Sequence, residues 1–200
     1  MNLEHQFRSG DPAAPVLLLL HGTGGGPDDL LGLAGHLDPA AAVLAPRGPV
    51  SEHGMARWFR RLAEGVFDHE DVRRRAHDLA EFILAAQQEY GLSGRRLVAV
   101  GFSNGANIAA ATALLRPEVL SEAALFAGMC PLPDDPGTDL GNSRVFLANG
   151  TADQMAPLDS VDRLDTLLRA RGAAVTPFRH PGGHQLTLEA ARAAAEWLST

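Results

Sequence analysis

Cysteine is almost missing from this 200-residue chain: Cys130 stands alone. One thiol cannot close an internal disulfide, and no Cys/His spacing suits a structural zinc, so neither staple is expected. A buried, reduced thiol is the expected state. Hydrophobic runs long enough to cross a bilayer are missing too. The longest early run is Val16 to Leu20, whereas a spanning helix needs about 20 apolar residues. The N-terminus, MNLEHQFRSGDPAAP, lacks the charged-then-apolar pattern of an export signal. Positive charge is not in surplus either. The formal net charge is −7, which argues against nucleic acid or an anionic membrane as a partner. A cytoplasmic enzyme or binding protein is the expectation that remains.

The arginines that do occur are mixed with acids, as in RRLAEGVFDHEDVRRR at 60–75. Such a run reads as a solvated helix face. With 46% hydrophobic and 20% charged residues, the chain is expected to fold as a soluble globular protein. Its length suits one domain with a sizeable core, and no linker, repeat or low-complexity tract divides it.

Short apolar runs alternate with longer helical patterns. Strands are predicted at Val16–Leu20, Ala42–Ala45, Leu97–Val100, Ala123–Phe126, Arg144–Ala148 and Ala174–Arg179. Their continuous rather than alternating hydrophobicity suits strands covered on both faces. Helices are predicted at Asp71–Tyr90, Asp159–Ala170 and His184–Leu198, with a further helical pattern after Gly105. The fold class is therefore α/β, a mostly parallel central sheet with helices on both faces. Ligands of such sheets bind beyond the carboxyl ends of the strands, so the residues there carry the functional argument.

After Val100 comes Gly-Phe-Ser-Asn-Gly, 101–105, a G-x-S-x-G sequence between a strand and a helix. A nucleophile elbow needs that pattern. The serine is held in a strained turn while strand and helix pass closely, so the flanking positions must be small. Ser103 is the candidate nucleophile, and the Asn104 N–H lies at the helix start, where it can bind an anion. After Leu20 comes HGTGGGPDD, 21–29. It lacks the Lys-Ser/Thr of a phosphate loop and reads instead as the source of a second oxyanion donor. The Thr23 N–H is the choice, with Gly24 its rival, and His21 is expected to brace the loop.

A serine nucleophile needs a base, and the base an orienting carboxylate. Asp153 follows the strand at 144–148, while Asp159 reads as a helix cap. Of His180 and His184, the second follows two glycines whose turn can aim its ring at the elbow. Ser103, Asp153 and His184 thus follow three strands in the order that this fold class uses.

With those positions in place the chain resembles the α/β-hydrolase superfamily, in particular the small carboxylesterase/phospholipase branch that includes acyl-protein thioesterases. The resemblance runs over nearly the whole chain through LLLLHGTGG, LAPRGPV, GMARWF, VGFSNGANIAA, NGTADQMAP and GGHQL. It implies a Ser103–His184–Asp153 triad, an oxyanion hole from Thr23 and Asn104, and no metal or organic cofactor. The thioesterases tend to carry Gln where this chain has Asn104, and Asp where it has Gly25. The implied activity is hydrolysis of small to medium carboxylic esters. A thioesterase or lysophospholipase with the same triad is the alternative, and a non-catalytic binding protein is the distant one. Met55, Trp58, Phe59 and Met129 are candidates to line an open, apolar acyl groove without a separate cap domain. The exposed faces of such sheets would also suit a homodimer.

Overall fold

Val16, Leu18 and Leu20 fall into one apolar cluster and Leu17 and Leu19 into another, so strand β2 (Val16–Leu20) is buried on both faces. That two-sided burial is why the run shows no polar alternation. In the computed structural model, which describes residues 3–63 and 65–200, β2 lies inside a seven-stranded sheet. The other strands are β1 (His5–Arg8), β3 (Ala42–Pro46), β8 (Leu97–Phe102), β9 (Glu122–Phe126), β10 (Arg144–Gly150) and β11 (Ala174–His180). They are arranged β1-β3-β2-β8-β9-β10-β11. Only the edge strand β1 is antiparallel to its neighbour; the remaining pairs are parallel.

Helices α1 (Leu31–Leu37) and α5 (Leu188–Leu198) cover one face through Ala34, Leu37, Ala190, Ala194 and Trp197. Helices α2 (His69–Glu89), α3 (Asn104–Leu115) and α4 (Leu158–Ala170) cover the other. Helix α3 is buried on nearly every side, and its run of alanines makes it slim enough to lie close against the sheet. Two small hairpins fill the connection between β3 and α2. One pairs β4 (Val50–Glu52) with β5 (Met55–Arg57), and the other pairs β6 (Arg61–Ala63) with β7 (Val66–Phe67).

All six predicted strands are present, most of them one or two residues longer than read. Three features differ. The final helix begins at Leu188, capped by the Thr187 side chain, so His184 sits on a loop ahead of it. Asp159 lies in the first turn of α4, where Pro157 is the cap position, so it favours the helix dipole rather than capping a free N–H. The Arg60–Arg75 run is not one solvated face: its first part forms β6 and β7, and Asp71 within α2 is buried.

Candidate active site

The elbow joins β8 to α3. A Cβ on Gly101 would stand 2.6 Å from the Gly105 carbonyl oxygen and 2.7 Å from Ala106 Cα, so only glycine permits this close approach. Between the two glycines Ser103 adopts φ 53° and ψ −114°. A side chain rarely takes that conformation, and neighbouring bonds hold it there. The Ser103 N–H donates to the Phe126 carbonyl at 2.8 Å, and its own carbonyl accepts from Asn107 N–H at 3.0 Å.

The structure brings Ser103, His184 and Asp153 together. His184 Nε2 lies 2.8 Å from Ser103 Oγ, and its Nδ1 lies 2.8 Å from Asp153 Oδ2. Asp153 can only accept as a carboxylate, which assigns the proton to Nδ1 and leaves Nε2 as an acceptor for the serine hydroxyl. The other Asp153 oxygen accepts from the N–H groups of Met155 and Ala156 at 2.8 and 3.0 Å. These bonds fix the carboxylate in a buried turn after β10. The loops carrying the acid and the histidine are also joined through their backbones. Thr151 N–H donates to His180 O at 2.8 Å and Ala152 N–H to Gly182 O at 3.1 Å. His180 itself accepts from Gly182 N–H through Nδ1, so it shapes the turn that carries His184.

The Gly-rich loop after β2 is equally well braced. The buried His21 accepts from Gly48 N–H at Nε2, 2.9 Å, which requires the Nδ1–H tautomer; Nδ1 then donates to Gly22 O at 2.7 Å. Burial lowers the His21 pKa from its ordinary 6.5; the Gly22 carbonyl and Asp29 oppose this, and Arg47 reinforces it. Gly24 N–H is occupied by the Ala56 carbonyl at 2.8 Å. Neither Thr23 N–H nor Asn104 N–H has a hydrogen-bond partner among the described residues, so Thr23 rather than Gly24 retains a free donor here.

A pocket of about 450 Å³ opens beside Ser103. Met129 and Phe67 lie in its wall, but Met55, Trp58 and Phe59 do not. Trp58 and Phe59 are buried beneath it, at 1% and 0% exposure. The Trp58 indole donates to His21 O at 2.9 Å, and its backbone N–H donates to Asn104 Oδ1 at 2.7 Å. Met55 packs against Gly24 at the surface. Trp58 is thus a strut beneath the Gly-rich loop after β2 and the elbow, since its two N–H groups need partners that a pocket wall would not give.

The residue before it, Arg57, does line the pocket, as do Arg61 and the side chains of Asn107 and Ser160. The wall is more polar than the sequence suggested. Arg57 is 4% exposed, and its guanidinium donates to Thr23 Oγ1 at 2.9 Å and to Phe59 O at 3.3 Å. Burial lowers its pKa from the ordinary value, Arg61 adds to that effect, and Glu52 offsets part of it. Arg61 donates to Glu52 Oε1 at 2.9 Å, and this bond, with Arg57 nearby, holds the Glu52 carboxyl below its usual range.

Comparison with known proteins agrees with this architecture. The family model described as phospholipase/carboxylesterase matches residues 5–200. The Bacillus subtilis protein MhqD is 40% identical over 195 residues, covering 98% of this chain and 97% of that one. A carboxylesterase of Bacillus cereus has a TM-score of 0.95 at 43% identity, over 98% of this chain and 93% of that one. A carboxylesterase of Mesorhizobium loti has a TM-score of 0.88 at 32% identity, over 92% and 88% of the two chains. A sheet ordered around a serine elbow, matched end to end by a family model and by relatives of this identity, places the chain in the phospholipase/carboxylesterase family of α/β-hydrolases.

Proposed function

We propose that the protein hydrolyses carboxylic esters with Ser103 as nucleophile. The observation that carries this reading is the continuous chain from Asp153 through His184 to Ser103 Oγ, beside two unpaired backbone donors. His184 takes the hydroxyl proton as Ser103 Oγ attacks the ester carbonyl, and the carbonyl π electrons move onto its oxygen. That oxyanion lies between Thr23 N–H and Asn104 N–H; losing one such donor typically costs about 2.7–4 kcal/mol of barrier. Collapse breaks the bond to the alcohol oxygen, which leaves with the proton from His184. Water then repeats the sequence on the acyl-serine, giving the acid and free enzyme. Asp153 holds the His184 tautomer throughout.

The test is hydrolysis of p-nitrophenyl butyrate by the wild type and by Ser103→Ala, each checked by circular dichroism. Loss of turnover in a folded variant is the expected result. A variant that keeps its rate, or a wild type inactive on all short esters, overturns the reading. A pocket of about 450 Å³ favours short to medium acyl groups, so activity should fall from butyrate toward palmitate. Parallel acyl-thioesters determine the preferred leaving group.

A further inference from the structure

The pocket wall carries positive charge that its described residues do not balance. Arg57 is a guanidinium 4% exposed, yet among the described residues it makes two hydrogen bonds, both to neutral oxygens. The nearest carboxylate oxygen, Glu52 Oε2, lies 3.4 Å from Nη1, and the other oxygen of Glu52 is taken by Arg61. Two arginines therefore share one carboxylate. Among the described residues, Arg57 Nη2 has no hydrogen-bond partner and the pocket lining contains no acidic side chain. The Asp153 carboxylate does not line the pocket: it is bound to His184 Nδ1 and to two backbone N–H groups. A buried guanidinium without a full counter-charge is costly. Bracing Thr23 would need one neutral donor, not a charged fork. An arginine's planar pair of N–H groups matches a carboxylate, and a desolvated site strengthens that pairing.

From this geometry we infer that the enzyme's substrates are esters bearing a second, free carboxylate, which Arg57 binds while Ser103 attacks the ester carbonyl. The inference rests on the esterase reading above and names its substrate class. The carboxylate can sit on the acyl half, as in a half-ester of a dicarboxylic acid, or on the alcohol half, as in an acylated hydroxy acid.

The test compares kcat/KM for monomethyl glutarate against methyl valerate, and for butyryloxyacetate against propyl butyrate. Each ratio is divided by the same ratio for alkaline hydrolysis, which removes intrinsic reactivity. One anionic member should be preferred by about tenfold or more, as expected for a charged hydrogen bond in a closed site. The arm that shows the preference identifies the half of the ester that carries the carboxylate. In Arg57→Met the anionic ester should lose far more rate than the neutral one, bringing the ratio close to one. Glu52→Gln removes the shared counter-charge and should raise the ratio by about threefold; it serves where Arg57→Met does not fold. A wild-type ratio near or below one in both arms overturns the inference, as does an equal loss on both esters in Arg57→Met or an unchanged ratio in Glu52→Gln. Those outcomes leave the esterase reading standing as long as the neutral esters are cleaved by the wild type and not by Ser103→Ala. No cleavage of any of the esters overturns both.

Discussion

Gly105, in the first turn of α3, lies against the last peptide of β2: a Cβ there would stand 1.8 Å from the Leu20 carbonyl oxygen. That oxygen is backbone in a buried central strand, so it cannot move aside. Gly105→Ala is expected to lose roughly 3 kcal/mol of stability or to fail to fold. Gly32 in α1 has nothing within 4 Å of the same virtual atom, so Gly32→Ala should gain about 0.5–1 kcal/mol from helix propensity. Urea unfolding of both variants checks the pair.

Ser103 holds a positive φ of 53°, a conformation that side chains rarely adopt. Ser103→Gly and Ser103→Ala should both be inactive, but glycine relieves the backbone strain whereas alanine, with the same Cβ as serine, retains it. The glycine variant is expected to be the more stable by roughly 1 kcal/mol. Equal melting temperatures would count against stored strain at the elbow.

Trp58 supports the site from beneath. Trp58→Phe removes the indole donor and leaves the His21 carbonyl without it, at about 1–2 kcal/mol. For a chain of this size that lowers the melting temperature by roughly 2–8 °C. KM for a short ester should stay near the wild-type value while kcat falls, because the strut aligns the loop of the proposed oxyanion donor Thr23 and does not line the pocket. A rise in KM alone would return Trp58 to the pocket wall.

The lowered pKa of His21 links folding to pH. The unfolded chain binds a proton at about 6.5, whereas the folded protein does so only at lower pH. The contribution of His21 is therefore complete above that value and is lost as pH falls through the folded pKa. Urea midpoints at pH 8 and pH 5.5 should differ less in His21→Gln than in the wild type. A wild-type slope unchanged by the substitution would remove His21 as its source.

Sheet and elbow were legible because both follow from coarse physics: strands covered on two faces need continuous apolar runs, and a close strand–helix approach needs glycine at 101 and 105. β1 was not, since His5–Arg8 is half-exposed and too short to show a pattern. The hairpins escaped for the same reason. In GMARWF residue type points to Met55, Trp58 and Phe59 as pocket wall, whereas Arg57 between them faces the cavity. Hydrophobicity predicts that a side chain is hidden, not from which side. The available signal was the arginine itself, set among large apolar residues where a solvated charge has little reason to be. Asn104 was read for its N–H alone; its side chain also ties the elbow to Trp58.

The backbone bonds between the acid loop and the histidine loop bear on how the molecule can vary. A Cβ on Gly150 would stand 2.2 Å from the Gly182 carbonyl oxygen, so the two loops are fitted to each other before any side chain is placed. Neither can change length alone without tilting its partner. Grafting a new specificity onto this scaffold is therefore best attempted through the β4–β7 hairpins, which wall the pocket and, among the described residues, share no backbone bond with that pair. The acid and histidine loops would have to be exchanged as a matched set, inherited or transplanted together.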